Sequence, residues 1–225
     1  MKQQNFADVY TMKKQKHALV ICNGEMPSQK LLVPLLKKKP FIVCADGGAN
    51  KARAFNILPH CIIGDLDSIT QKTRYYFSSV PIIHNPDQNS TDLEKVLDYL
   101  LTNSFSSATI IGATGDRPDH TMANFSILMK YHRKIFLQFF DERCTAEIVH
   151  KKIRISVEPG QQISLLPMGK CSGITTQGLK FPLKNELLEL GVREGSSNEA
   201  IKNIVTITLK SGSLLLFTIH SHITK

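Results

Sequence analysis

The alternation of strand-like and helix-like segments between residues 17 and 150 constrains the fold most. Apolar runs of strand length occur at 17–22, 41–45, 61–63, 81–84, 108–112 and 134–140, and segments with helical spacing or helix-start signals separate most of them. This alternation predicts a mostly parallel, doubly wound sheet with helices on both faces. We therefore expect an α/β domain over residues 17–150, preceded by a loosely held polar and basic tail at residues 1–16.

The pattern changes after residue 150. The segments 154–157, 162–166, 173–176, 205–209 and 214–219 are short and β-rich, and turns with Gly or Pro separate several of them. They predict a small all-β sandwich or barrel over residues 151–225. All ten aspartates precede residue 142, so we expect carboxylate chemistry in the first domain only.

Three carboxylates follow predicted strands or begin a predicted helix in the stretch 62–94. Asp65 and Asp67 come directly after a buried strand, and Asp92 lies in the first turn of a helix that Asn89, Ser90 or Thr91 could cap. In a parallel sheet such positions meet at one edge, where ligands bind. Clustered carboxylates repel one another unless a cation lies between them, and hard oxygen ligands favour Mg²⁺, which usually accompanies phosphates. A single Asp-x-Asp taken alone is more typical of a loop with Asx turns.

Further aspartates at strand ends strengthen the metal interpretation. Asp46 precedes a Gly pair after the strand at 41–45, and Asp116 and Asp119 flank Arg117 after the strand at 108–112. A guanidinium can hold two phosphate oxygens at once, and a metal–carboxylate cluster beside it suits phosphoryl transfer. Asp116 fits a turn residue equally well. The common P-loop and dinucleotide-binding glycine motifs are absent from the sequence.

Seven short blocks in this order resemble the thiamin pyrophosphokinase (thiamine diphosphokinase) family. They are ADGGAN at 45–50, IGDLDS at 63–68, DQNSTDLEK at 87–95, GATGDRPDH at 112–120, GLKFPL at 178–183, GSSN at 195–198 and GSLLLF at 212–217. The resemblance implies ATP-dependent pyrophosphoryl transfer to thiamine with Mg²⁺, giving thiamine diphosphate and AMP. It also implies a homodimer whose active sites lie between the first domain of one subunit and the second domain of the other.

The same resemblance assigns roles by matching position. Asp65, Asp67 and Asp92 are implied as metal ligands and, with Arg117, as the catalytic group. The implied substrate contacts are Asp46 and Gln88 for thiamine, Asp119 on the nucleotide and phosphate side, and Ser196, Ser197 and Asn198 as the wall from the second domain. Family members often place a Trp near the last strand; this chain has no Trp, and Phe217 stands at or near that position.

Two other classes of function are weighed against this one. A nucleotidyltransferase, or a phosphohydrolase with Asp65 as nucleophile, would also use a metal and carboxylates. A nucleic-acid-binding module is suggested by the net charge of +9. However, the basic residues are scattered and the conspicuous loops are acidic, so we expect no nucleic-acid partner.

The sequence also indicates a cellular location. The five cysteines show no Cys-x-x-Cys spacing, and three of them lie in apolar runs. They are typical of buried thiols in a reducing compartment. Because the sequence contains neither a signal-peptide pattern nor an apolar run of about 18 residues, we expect a cytoplasmic protein that does not enter a membrane.

Overall fold

Apolar residues alternate between the two faces of the central strands. In the computed structural model, which describes residues 16–115 and 117–221, Ala18 and Val20 face one helical layer while Leu19 and Ile21 face the other. Successive side chains of a strand point to opposite faces, so a strand that is apolar throughout requires cover on both sides. The first half of the chain supplies that cover with helices.

Five helices and fourteen strands are present among the described residues. The helices are α1 (Gln29–Lys37), α2 (Gly48–Ala54), α3 (Gln71–Tyr76), α4 (Asp92–Thr102) and α5 (Pro118–Tyr131). The strands of the first part are β1 (Lys16–Ile21), β2 (Phe41–Ala45), β3 (Cys61–Gly64), β4 (Ile82–His84), β5 (Phe105–Ile111) and β6 (Phe136–Phe140). The remaining strands are β7 (Cys144–Val149), β8 (Lys152–Ser156), β9 (Gln162–Pro167), β10 (Lys170–Gln177), β11 (Glu186–Glu189), β12 (Gly195–Glu199), β13 (Ile204–Thr208) and β14 (Leu214–Ile219).

The first six strands form the parallel part of a larger sheet, in the order β6-β5-β1-β2-β3-β4. The chain builds outward from β1 to β4, then crosses back and adds β5 and β6 on the other side of β1. The strand order therefore reverses between β1 and β5. In open α/β sheets this reversal opens a crevice at the carboxyl ends of the strands, where ligands bind.

The second part of the chain extends the same sheet and packs a second sheet on it. Strands β7, β14, β9 and β12 continue the large sheet in antiparallel fashion to a total of ten strands. A four-stranded sheet, β11-β10-β13-β8, packs against them. Residues such as Leu165 and Leu216 from the large sheet and Ile174 and Val205 from the small one share a single core. The predicted fold class, a doubly wound domain followed by a β sandwich, is confirmed.

Three strands differ from the sequence prediction. The strands β7, β11 and β12 were not predicted, because Thr145, Glu147, Glu186 and the run from Gly195 to Glu199 interrupt any apolar pattern. Lys16, which the sequence placed in the tail, is the first residue of β1, and residues 1–15 lie outside the described residues. None of the described helices is both long and apolar enough to cross a membrane.

Candidate active site

A cleft of about 640 Å³ opens at the carboxyl edge of the parallel strands. Its walls come from the segments after β1, β2, β3 and β5 and from the first turns of α4 and α5. It lies at the reversal of strand order, where the crevice of a doubly wound sheet is expected. Four of the residues predicted for function line it: Asp46, Asp65, Asp92 and Arg117.

Three carboxylates converge at this edge of the sheet. One oxygen each from Asp46, Asp65 and Asp67 lies within 4.8 Å of the other two. The backbone N–H of Asp67 donates to Asp65 Oδ1 at 3.3 Å, and the Ser68 hydroxyl donates to Asp67 Oδ1 at 2.8 Å. These bonds tie the carboxylates to one short loop after β3. The donor from Asp67 contributes most to holding the pKa of Asp65 below its usual range.

Asp46 is the buried member of the cluster. Only 1% of it is exposed, and its backbone takes a left-handed φ of +37° directly after β2. Its Oδ2 accepts a hydrogen bond from the Ser68 N–H at 2.9 Å, whereas its Oδ1 has no partner among the residues described. Burial raises the pKa of this carboxyl, and Asp92 and Asp67 raise it further. A buried carboxylate oxygen without a donor, beside two other carboxylates, is a fitting ligand for a hard cation such as Mg²⁺.

Lys95 joins Asp92 to this group. Its Nζ lies 3.1 Å from Asp92 Oδ1 and 3.3 Å from Asp65 Oδ2, and 1% of its side chain is exposed. Burial disfavours the charge of Lys95, yet hydrogen bonds and attraction to Asp92 and then to Asp65 leave the pKa of its ammonium raised. Lys95 was not predicted as a site residue. The available signal was its position three residues after Asp92, which places the two side chains on one helix face.

The start of α4 is fixed by its own sequence. The Thr91 hydroxyl accepts from the Glu94 N–H at 3.3 Å, and the Glu94 carboxylate accepts from the Thr91 N–H at 2.9 Å. This capping box places Asp92 in the first helical turn, facing the cleft. Gly64 makes room for it, because a Cβ there would come within 3.0 Å of Asp92 Oδ1 and 2.6 Å of the Asp46 Cβ.

The metal-ligand prediction and the geometry overlap in two of three residues. The sequence named Asp65, Asp67 and Asp92, while the closest carboxylates in the structure are Asp46, Asp65 and Asp67. Asp92 belongs to the same edge and is held by Lys95. Asp46 was predicted as a thiamine contact, and its place in the carboxylate cluster depends on how β2 and β3 pair.

Gln88 lies in the loop before α4, beside the cluster. Its Nε2 donates to Asp65 Oδ2 at 3.3 Å and to the carbonyl of Pro86 at 3.4 Å. The neighbouring Asp87 accepts from the Asn89 N–H and the Ser90 hydroxyl, which shapes the loop. Gln88 is therefore placed at the acidic edge that the sequence predicted, on an exposed loop.

Arg117 and Asp119 form a two-point ion pair at the start of α5. Arg117 Nε and Nη2 donate to the two carboxylate oxygens of Asp119 at 3.0 and 2.6 Å. The pair lowers the pKa of Asp119 to about 2 and raises that of Arg117. Both side chains are about two-thirds exposed, so the guanidinium reaches into solvent on the cleft side. Asp116 lies outside the described residues.

The predicted residues of the second domain lie far from the carboxylates within one subunit. Ser196, Ser197 and Asn198 belong to β12, at the opposite end of the sheet order from β4. Seven strands separate β12 from β3, a path of about 38 Å along the sheet at a strand spacing of ~4.8 Å. The register of β12 shifts between Gly195 and Asn198, and Ser197 has a φ of +56°.

Asn198 and Phe217 have structural contacts of their own. The Asn198 side chain accepts from the Phe181 N–H at 3.1 Å and donates to the Phe181 carbonyl at 2.7 Å, and Phe181 itself is 63% exposed. Phe217 is half-buried on β14 and packs edge-on against Phe125 of α5, with ring centroids 5.6 Å apart. Five strands separate β14 from β3.

The cleft contains further polar residues for which the sequence analysis assigned no function: Asn23, Thr114 and Asn124. Asn124 Nδ2 donates to the carbonyl of Ala113 at 2.7 Å, and the Thr114 hydroxyl donates to Asp141 at 3.3 Å. The Asn23-Gly24 pair follows β1 after one intervening residue, Cys22. Its position at a strand end, like that of Asp46, was the signal that could have placed it in the site.

Two family models match this chain. The model of the catalytic domain of thiamin pyrophosphokinase matches residues 32–139, and that of its vitamin B1 binding domain matches residues 150–214. Thiamine pyrophosphokinase 1 of Oryza sativa subsp. japonica is 30% identical over 237 residues, covering 90% of this chain and 86% of the relative. Thiamine pyrophosphokinase of Bacillus subtilis is 29% identical over 167 residues, covering 71% and 78%.

Solved structures show the same fold. A crystal structure of thiamine pyrophosphokinase from Bacillus subtilis superposes with a TM-score of 0.82 at 24% identity, covering 92% of this chain and all of the other. The structure of yeast thiamin pyrophosphokinase gives a TM-score of 0.79 at 22% identity, covering 94% and 89%. At these identities the likeness concerns the fold.

Proposed function

The chain belongs to the thiamin pyrophosphokinase family, and we propose that the acidic cleft is where it transfers a pyrophosphoryl group from ATP to thiamine. The enzyme is a thiamine pyrophosphokinase, and its products are thiamine diphosphate and AMP. The observation that supports this location best is the convergence of Asp46, Asp65 and Asp67, with an unpartnered buried oxygen on Asp46. The relatives reported above all carry the pyrophosphokinase name, which favours this activity over a nucleotidyltransferase or phosphohydrolase.

The carboxylates are proposed to hold Mg²⁺. Asp65, Asp67 and Asp46 offer only oxygen atoms as metal ligands at one edge of the sheet. Asp92 lies beside them and pairs with Lys95. When bound there, Mg²⁺ neutralises charge on the phosphate oxygens of ATP. Without a cation, three carboxylates this close repel one another, and Lys95 offsets only part of that repulsion.

Arg117 is proposed to act on the phosphate chain. Its guanidinium lines the cleft and can bind two phosphate oxygens, as it binds the two oxygens of Asp119. Asp119 positions it. The thiamine hydroxyl oxygen attacks the β-phosphorus and releases its proton to water, while the bond from the β-phosphorus to the α–β bridging oxygen breaks and AMP leaves with that oxygen. This direct displacement forms no covalent enzyme intermediate. The residues of the site contribute charge stabilisation and positioning.

Thiamine is proposed to bind beside Gln88 and Asp46, at the mouth of the cleft. Gln88 is on an exposed loop and hydrogen-bonds Asp65, so its amide reaches from the metal site towards solvent. The second wall is proposed to come from Ser196, Ser197 and Asn198 of another subunit. Within one subunit about 38 Å of sheet separates them from the carboxylates, so a homodimer is the arrangement that brings both walls together. Phe217 is proposed to stack on thiamine there, although in one subunit its ring packs against Phe125.

The activity is tested by incubating the enzyme with ATP, Mg²⁺ and thiamine and separating the products by chromatography. Equal amounts of AMP and thiamine diphosphate are expected, and EDTA should stop the reaction. Asp67→Asn should keep the fold and lose most of the activity. The substitution removes one carboxylate charge from the proposed metal site without changing the shape of the side chain. Release of ADP and thiamine monophosphate, or near-normal turnover of Asp67→Asn in saturating Mg²⁺, would refute the assignment.

The shared site is tested by mixing two inactive variants, Asp67→Asn and Ser197→Trp. After unfolding and refolding in equal amounts, about half of the molecules are mixed dimers. In each mixed dimer one site collects both lesions and the other collects neither, so about a quarter of wild-type sites return. Sites built within one subunit would return no activity, and a monomer in light scattering would also refute the proposal.

The proposed location is the reducing cytoplasm. Cys22, Cys44, Cys61 and Cys171 are free and buried, and burial raises the pKa of the Cys22 thiol to about 12. Such thiols pack as small apolar groups and react slowly. Fractionation of the source cells would test the location.

A further inference from the structure

A second cleft, of about 530 Å³, lies away from the acidic one. Three separate segments meet there: His132 and Arg133 after α5, His150 and Lys151 in the β7–β8 turn, and Lys210 to Gly212 in the β13–β14 turn. It shares no lining residue with the acidic cleft. Its volume is within the range of small-molecule sites. We call it the basic cleft.

Every ionisable residue that lines the basic cleft is basic. Arg133, Lys151 and Lys210 are exposed, and none of them makes a salt bridge to any residue in the described part of the chain. By contrast, Lys130, Lys180 and Arg193, which lie outside the basic cleft, each form a salt bridge with a glutamate. Three unpaired cations brought together by tertiary folding form a local positive field that a surface lysine does not provide alone.

Two histidines lie beside these cations in the basic cleft. The rings of His132 and His150 lie with centroids 5.5 Å apart. Burial lowers the pKa of His150, and the charges of His132, Arg133 and Lys151 lower it further. These groups repel one another in the ligand-free protein, and an anion between them would relieve the repulsion.

His132 also has a defined tautomer. Its Nδ1 lies 2.6 Å from the Met129 carbonyl oxygen, which can only accept, so Nδ1 carries the proton. Its Nε2 is buried without a hydrogen-bond partner among the described residues.

From this arrangement we infer that the basic cleft binds a small polyanion that carries two or more linked phosphate groups. Three unpaired cations, with two histidines behind them, exceed the charge of a single phosphate. The concave shape and the close grouping favour a compact ligand over nucleic acid, which needs a stripe of cations along a strand. The basic cleft shares no lining residue with the acidic cleft. Because no carboxylate lines it, binding of the anion there needs no metal ion.

The probe is inorganic tripolyphosphate, titrated calorimetrically into the full-length protein at pH 7 in EDTA. Saturable binding with one site per chain is expected. The variant Arg133→Gln/Lys151→Gln/Lys210→Gln should lose affinity at least about tenfold, since it removes three charge-assisted contacts. All three residues are exposed, so the fold should survive.

A matched control removes the same number of charges outside the cleft. Lys134, Lys152 and Lys202 are exposed, and none of them lines the cleft. The triple Gln variant of these lysines should change affinity less than about threefold, because only the general field is reduced. Arg117→Ala, in the acidic cleft, should leave the tripolyphosphate affinity intact.

Three results would overturn the proposal. The first is no saturable binding at millimolar tripolyphosphate, and the second is an equal loss in the cleft variant and its control. The third is binding that Arg117→Ala abolishes, which would place the anion in the acidic cleft. A single-stranded oligonucleotide that binds more tightly than tripolyphosphate through the same three residues would also overturn it, in favour of nucleic acid.

Discussion

Lys95→Met should destabilise the metal-free enzyme more than any other removal of one lysine charge from α4 or α5. Methionine keeps most of the buried stem and removes the ammonium that lies 3.1 Å from Asp92 and 3.3 Å from Asp65. The two carboxylates then face Asp46 and Asp67 without a counter-ion. The perturbation therefore isolates the charge that balances the empty metal site.

The magnitude is bounded by two opposing effects. At an effective dielectric constant of about 20, each ion pair at this distance is worth ~5 kcal/mol before desolvation. Burying a lysine with 1% of its side chain exposed costs several kcal/mol, whereas breaking a buried pair costs about 3–5 kcal/mol. Because 17% of the Asp65 side chain and 32% of the Asp92 side chain are exposed, water screens part of this loss. We expect the free energy of unfolding to fall by about 2–3 kcal/mol.

The assay is urea unfolding in EDTA and again with Mg²⁺. Mg²⁺ should raise the free energy of unfolding of Lys95→Met by about 1–2 kcal/mol more than that of the wild type. In the variant the cation neutralises the carboxylates that Lys95 no longer balances. The pKa of Asp65 is lowered and that of Lys95 raised in the folded protein. The contribution of Asp65 is lost as the pH falls through its folded pKa, and that of Lys95 as the pH rises through its own. The difference between variant and wild type should therefore persist near neutrality and shrink below about pH 4.

The matched control is Lys130→Met. The Lys130 ammonium lies 2.7 Å from the carboxylate of Glu94, the residue that precedes Lys95 in α4. The Lys130 side chain is 61% exposed. The Glu94 side chain is 11% exposed but keeps the Thr91 N–H as a donor, so the exposed lysine should contribute only about 1 kcal/mol. If both variants lost the same stability, or if Mg²⁺ stabilised both equally, Lys95 would not be the counter-ion of the metal site.

Three other predictions concern single residues. Gln88→Ala should raise the KM for thiamine more than that for ATP, because thiamine loses about 1–3 kcal/mol of binding free energy. Equal effects on the two KM values would mean that Gln88 only shapes its loop. Asp46→Asn should raise the free energy of unfolding by about 0.5–2 kcal/mol at pH 7 in EDTA, because the raised pKa of Asp46 marks an ion that burial disfavours. That gain should vanish in acid, where the native carboxyl is protonated, and a loss of stability in urea at pH 7 would refute it. Thr91→Ala should cost about 1 kcal/mol in the same urea assay by removing the cap that accepts from Glu94, and an unchanged midpoint would show that the cap is replaced.

The elements predicted best are those with local signals. The strand Phe41–Ala45 and the last strand, Leu214–Ile219, have the predicted limits, because each is an apolar run bounded by turn residues. The start of α4 was predicted from three possible caps, Asn89, Ser90 and Thr91, and the acids after them; in the structure Thr91 is the cap and forms a capping box with Glu94. By contrast, β12 reads Gly-Ser-Ser-Asn-Glu and forms a strand only because β9 offers it an edge.

By itself the sequence determined an α/β half with carboxylates at strand ends and a β-rich half without aspartates. These features depend on the spacing of apolar residues, on turn residues and on helix caps, each of which involves only a few neighbouring residues. Only the tertiary structure decided which of these groups meet. Pairing of β2 with β3 brings Asp46 to Asp65 and Asp67, and the packing of α4 against β2 and β3 places Lys95 against Asp65. The continuation of one sheet through ten strands sets Ser197 far from those carboxylates. These distances depend on strand order and packing, which sum over the whole chain and leave no local mark on the residues concerned.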